Sequence, residues 1–185
     1  MGLKVYNIFR GTIFLMPGFR IFLFAAVLSL LGALAASGLQ AASQKGTGLP
    51  LPRFVSLRAG EVNLRTGPGV QYPVDWVYHR QHLPVEIIAE YGTWRKVRDW
   101  QGTQGWVHQS MVAAKRTFIV TGDVRSVRRK NDPKSPPVAR LEPGVVGFLK
   151  SCPDLDGWCR VEAVGHEGWL RRVEFWGLHR NEVME

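Results

Sequence analysis

The chain starts without acid and carries almost no cysteine. No Asp or Glu precedes Glu61, while Lys4, Arg10 and Arg20 lead into an unbroken apolar or small stretch from Ile21 to Leu39. A positive start, an apolar centre and a small-residue end are the pattern of a secretory signal peptide. Candidate cleavage points follow Gly38 (Ala36-Ser37-Gly38) and Ala41 (Leu39-Gln40-Ala41). The competing reading is an uncleaved anchor, because the run is long enough to supply the roughly 20 apolar residues that span a bilayer. No cysteine stands near either cleavage point, which excludes a lipoprotein. Both readings put the remaining chain outside the cytoplasm, periplasmic or otherwise extracytoplasmic, with inner-membrane anchoring through residues 21–39 as the alternative.

Only two cysteines are present, Cys152 and Cys159. An even count in an exported chain suggests a disulfide. The residues between them include Asp156-Gly157, the turn signal of a hairpin. Cysteines on opposite strands of such a hairpin come within bonding reach. Closing so short a loop stabilises by roughly 2–3 kcal/mol on the chain-entropy account. The spacing is wider than the Cys-x-x-Cys of a redox motif, so the bridge reads as a staple.

Catalytic machinery is scarce as well. An enzyme needs a nucleophile, a base and a group to orient it, and a disulfide leaves no free thiol. The histidines are His79, His82, His108, His166 and His179. His79 and His82 have a spacing seen in metal sites, but no third ligand lies nearby. Acidic pairs such as Glu86/Glu90 and Asp154/Asp156 read as solvated strand faces and turns. No catalysis, metal or cofactor is expected.

Helical periodicity is missing too. Beyond a Gly-, Ser- and Pro-rich linker at 42–53, no segment repeats at helical spacing for more than one turn. Short stretches rich in Val, Ile, Phe, Tyr and Trp alternate with polar residues and are separated by Gly, Pro, Asp and Asn, the signature of an all-β barrel or sandwich. They occur twice. Val62-Asn63-Leu64-Arg65-Thr66-Gly67-Pro68, Trp94-Arg95-Lys96-Val97 and Gly105-Trp106-Val107 answer to Ser126-Val127-Arg128-Arg129, Trp158-Cys159-Arg160-Val161 and Gly168-Trp169-Leu170. Leu64 to Val127 and Trp106 to Trp169 are both 63 residues, and Trp94 to Trp158 is 64. A fixed period of this kind means modules in series. Modules of roughly 60 residues bury only about 60% of their unfolded surface, so packing one against the other would help both.

Asn63-Leu64-Arg65-Thr66-Gly67-Pro68-Gly69, Trp94-x-x-Val97 and Gly105-Trp106-Val107 resemble a bacterial SH3-like (SH3b) domain. In the second copy Val127-Arg128 keeps the apolar-Arg step, while Lys130-Asn131-Asp132-Pro133 replaces the Gly-Pro turn. The pair is most similar to double SH3-like proteins exported by α-proteobacteria, which often carry a Cys-x6-Cys hairpin. The resemblance implies two small SH3-like β-barrels in series, at 54–115 and 116–180, after the segment 1–41 and linker 42–53 and before a polar tail at 181–185.

Formal net charge is +9, and removing Lys4, Arg10 and Arg20 with the leader leaves +6. A basic surface suits nucleic acid, anionic lipid or cell-wall polymer. An exported protein rarely meets nucleic acid, so no such partner is expected. Trp94, Trp106, Trp158 and Trp169 occupy repeated positions and read first as core or hairpin packing. Trp76, Tyr78, Tyr91 and Trp100 have no clear counterpart in the second copy, which makes them candidates for an exposed aromatic surface that Tyr72 could join. Arg65, Arg80, Arg95 and Arg98 could pair with carboxylates, since Arg offers a planar fork of donors. The resemblance implies a non-catalytic protein that binds peptidoglycan stem peptide or a periplasmic protein through the first module. The alternative is a membrane-anchored scaffold or accessory subunit of an envelope complex. The competing role for these aromatics is to close the contact between the modules.

Overall fold

The computed structural model describes residues 46–153 and 157–185. The leader or anchor at 1–41, the first residues of the linker, Asp154, and Asp156 of the expected turn lie outside the described residues. Strands form where β-branched and aromatic residues alternate with polar ones. The first half holds β1 (Arg53–Leu57), β2 (Val62–Arg65), β3 (Val74–Tyr78), β4 (Pro84–Tyr91), β5 (Trp94–Arg98), β6 (Gln104–His108) and β7 (Val112–Ala113). The second holds β8 (Thr117–Val120), β9 (Arg125–Arg128), β10 (Pro137–Leu141), β11 (Val146–Ser151), β12 (Trp158–Ala163), β13 (His166–Arg171) and β14 (Phe175–Trp176). A 3-10 turn precedes the last strand of each half, at Gln109–Met111 and Arg172–Glu174.

Each half is one antiparallel seven-stranded sheet, ordered β3-β2-β6-β5-β4-β1-β7 and β10-β9-β13-β12-β11-β8-β14. The two orders match position for position, so the period in the sequence is a period in the ladder. The expected barrels, however, are not closed. Each ladder has free ends, β3 and β7 in one and β10 and β14 in the other. β7 and β14 are two residues long and can carry little pairing. β3 is buried at Tyr78 and exposed towards Val74, so it runs off the core.

Where β6 meets β2, and β13 meets β9, each junction has a glycine. A Cβ on Gly105 would lie 2.5 Å from Leu64 Cγ and 2.9 Å from the Arg65 carbonyl oxygen. A Cβ on Gly168 would lie 2.5 Å from the Arg128 carbonyl oxygen. Only glycine permits that approach, which explains why Gly-Trp recurs at the same place in both copies.

The first core gathers Leu57, Val62, Leu64, Val85, Ile87, Val97 and Val107, and also Ile119 from β8. The second gathers Phe118, Val120, Val127, Leu141, Leu149, Val161 and Leu170 around the Cys152–Cys159 disulfide. Each such Val, Leu or Phe contributes about 1.5–3 kcal/mol by leaving water. β8 therefore serves both cores: Ile119 turns one way, while Phe118 and Val120 turn the other. Val146 and Trp176 also pack against the first core. Phe54 meets Trp176 edge-on at 4.7 Å, and Arg80 Nη1 donates to the Gly144 carbonyl at 2.7 Å.

Residues 181–185, set apart in the sequence as a polar tail, are tied into the second module. Met184 and Cys152 exchange two backbone hydrogen bonds, at 2.6 and 3.2 Å. Glu182 pairs with Arg116, and this pairing draws its carboxyl below the ordinary range against the opposing effect of burial. Among the described residues no helix is long and apolar enough to cross a membrane.

Candidate functional site

The β2–β3 hairpin is held by Arg65. Its Nη1 donates to the carbonyls of Val70 (3.2 Å) and Tyr72 (2.7 Å), and Thr66 N–H donates to the Pro73 carbonyl at 3.1 Å. The Tyr72 ring covers Gly67 so closely that a Cβ there would fall 2.4 Å from it. Leu64 and Trp76 face each other across the ladder. Leu64 is buried within the sheet, while Trp76 stands on the free edge, with no further strand beyond it among the described residues. The outcome is a fixed loop and edge carrying four exposed large hydrophobics: Val70 (77%), Tyr72 (40%), Val74 (42%) and Trp76 (55%).

The other sequence candidates go elsewhere. Tyr78 is buried, not exposed, and its hydroxyl donates to Asp99 Oδ2 at 3.1 Å. Burial, reinforced by the Asp99 charge, pushes this phenol well above its ordinary value. Asp99 Oδ1 in turn accepts from the Gln101 and Thr103 N–H groups, both at 2.9 Å, which fixes the β5–β6 loop. Trp100, in that loop, is partly buried against the first core. Tyr91 is exposed, but it sits at the β4–β5 hairpin, four strands along the ladder from β3. Tyr72 and Trp76 are therefore brought onto one hairpin, and Tyr78, Trp100 and Tyr91 do not join them.

Each of the four arginines makes at least one hydrogen bond or ion pair inside the protein. Arg65 pins its loop, and Arg80 bonds to the second module. Arg95 is buried; it donates to the carbonyls of Gly92 (2.7 Å) and Trp94 (2.9 Å) and to Gln109 Oε1 (2.7 Å), with Nε 3.2 Å from Glu90. Arg98 pairs with buried Glu86, its Nε donating at 2.9 Å. A guanidinium in the core must satisfy its donors locally, as that of Arg95 does, while Arg80 and Arg98 remain exposed to solvent.

The buried acids are also engaged. Burial raises the Glu90 carboxyl, but hydrogen bonds from Arg53 and Thr47 outweigh it and hold the group at about 2. Glu86 and Asp99 likewise accept hydrogen bonds, from Arg98 and from the β5–β6 loop, so all three acids serve as fixed acceptors. His82 lies edge-on to Phe148 at 5.2 Å. Among the described residues no three His, Cys, Asp or Glu side chains come close enough to hold a metal.

Sequence reasoning missed two features. Val70 and Val74 gave no signal, because an exposed valine looks like a buried one. Trp106 and Trp169 face outward and are only half-buried, flanked in register by Arg65 and Lys96, and by Arg128 and Arg160. A signal was present: Gly105 and Val107 are both buried, so period-two alternation sends Trp106 to the opposite face. Each tryptophan lies beside the arginine that pins the neighbouring loop, since Arg128 Nη1 donates to the Ser135 carbonyl at 2.7 Å just as Arg65 does in the first copy.

No curated protein matches the chain. Solved structures that resemble it include NlpC2 and NlpC1 from Trichomonas vaginalis, each with 10% identity and a TM-score of 0.32. The matches cover 70% and 75% of this chain, which spans about half the length of those proteins (49% and 50%). That likeness is too slight to carry an argument. The family description "bacterial SH3 domain" matches residues 58–113 and again residues 123–177, together more than half of the chain. With this double match and two sheets of identical order, the chain belongs to the bacterial SH3 domain family and carries two such domains in series.

Proposed function

We propose that the protein acts outside the cytoplasm as a non-catalytic binding protein, and that its first domain recognises cell-wall stem peptide through the β2–β3 hairpin. The carrying observation is the row of Val70, Tyr72, Val74 and Trp76, exposed together on a loop fixed by Arg65. An aromatic ledge beside a free strand edge suits an extended peptide, which can lay apolar groups on the rings and pair its backbone with β3. The disulfide supports an oxidising compartment.

Co-sedimentation with purified peptidoglycan sacculi tests the reading. Native protein is expected to pellet, and Tyr72→Ala with Trp76→Ala should reduce the bound fraction about tenfold without altering the thermal midpoint. Unchanged binding by the double variant would remove the hairpin from the site. Failure of the native protein to pellet would remove the ligand.

A further inference from the structure

The β9–β10 hairpin of the second domain occupies the same place in its ladder as the aromatic hairpin does in the first. Its loop is held as firmly. Ser135, buried, accepts from Lys130 N–H at 3.0 Å, and its own N–H donates to the Asp132 carbonyl at 3.0 Å. Arg128 clasps the Ser135 carbonyl, and Asp132 Oδ1 accepts from Lys134 N–H at 2.8 Å. The loop's one acid is thereby engaged with its own backbone.

The side chains this frame presents are of a different kind. Arg129, Lys130 and Lys134 are exposed at the tip, and Arg140 is exposed on the free edge strand leading from it. None of the four side chains has an ion-pair or hydrogen-bond partner among the described residues. Edge protection explains Arg140, together with Pro136 and Pro137, since charge and proline on an edge strand block further pairing. It does not explain three cations on a loop that offers no edge.

The geometry points to this tip as a docking surface for a linear polyanion bearing phosphate groups. Arg supplies a bidentate fork and Lys a point charge, the two donor types that hold phosphate. No large hydrophobic or aromatic residue is exposed between positions 128 and 140, so the loop has nothing of its own to insert into lipid or to stack on a nucleobase. The surface is distinct from the first domain's hairpin, and its test does not depend on peptide binding there.

Linear inorganic polyphosphate is the probe, titrated against the native protein by fluorescence anisotropy at several salt concentrations. Neutralising three phosphates predicts a slope of log affinity against log salt of about −2, on the single-strand coefficient of roughly −0.7 per contact. Arg129→Gln with Lys130→Gln should weaken binding at least tenfold at low salt and flatten the slope to about −0.7. A matched pair removing exposed or half-buried cations elsewhere, Lys96→Gln with Arg180→Gln, should change affinity less than twofold. Equal loss in both pairs would reduce the effect to net charge, and no loss in the first would remove the tip; either overturns the proposal. Binding to anionic phosphatidylglycerol vesicles as tight as to polyphosphate, and equally sensitive to the tip pair, would replace the polymer with a membrane.

Discussion

The two domains share a ladder, a glycine at each β-strand junction and an arginine that clasps the first hairpin loop. Their differences begin at the side chains those shared parts hold in place. Positions 70, 72, 74 and 76 carry Val, Tyr, Val and Trp; the equivalent positions 133, 135, 137 and 139 carry Pro, Ser, Pro and Ala. One hairpin presents aromatic surface, the other positive charge. The contrast continues inward. Tyr78 bonds to Asp99 in the first core, while Leu141 and Ala163 stand at the corresponding places in the second, both buried and apolar. The repeated residues determine the backbone, and the unrepeated ones determine what each copy presents to solvent or closes over.

Three measurements press on that contrast. The largest effect is expected from importing the first core's chemistry into the second. Leu141→Tyr would place a hydroxyl opposite Ala163 with no partner, and should cost about 3 kcal/mol from overpacking and an unsatisfied polar group. A urea midpoint shift worth less than about 1 kcal/mol would show that the cores are interchangeable.

Next comes the hairpin that each domain closes by different means. The second uses Cys152–Cys159; the first has Ala89 and Arg95 near the corresponding places, and Arg95 ties the turn through the carbonyls of Gly92 and Trp94. Replacing both cysteines by serine should lower stability by about 2–3 kcal/mol. Loss concentrated in amides 146–176 by hydrogen exchange would locate the staple in one domain, and a uniform loss would deny that location.

The smallest effect separates the domains by pH. Glu90 is held at about 2 against an ordinary 4.5, so its contribution is complete above pH 4.5 and is lost as pH falls towards 2. After discounting for solvent screening it amounts to roughly 1 kcal/mol. Stability measured at pH 6 and pH 3 should differ by a little over half that amount less in Glu90→Gln than in the native protein, because the folded-state carboxyl is still mostly ionised at pH 3. An unchanged difference would place the acid sensitivity elsewhere.

Much of this architecture was readable from the chain because its determinants are local. Gly-Trp-Val and Asn-Leu-Arg each set a junction within a few residues, and both recur. The arginines were not readable in the same way. Arg80 finds its carbonyl 64 residues away at Gly144, and Arg95 finds a side chain at Gln109. A single sequence says that a fork of donors exists but not which oxygen it reaches. Tyr78 shows the same limit, since its burial depends on Asp99 being placed by a loop two strands along the ladder. The open ladders were hidden for a further reason. Closure turns on whether β3 and β10 stay against the core over their whole length, and no periodicity records that.

β8 sets the order in which the protein can be completed. Ile119 belongs to the first core, and Trp176 packs against that same core from nearly sixty positions further on. A chain emerging amino end first, from a ribosome or through a translocation pore, exposes the first domain before the pieces that seal it have arrived. Its exposed apolar surface then waits for the second domain's last strand. Cutting between the domains would leave a fragment whose core stays open on one side, so the earlier half depends on the later one to finish folding.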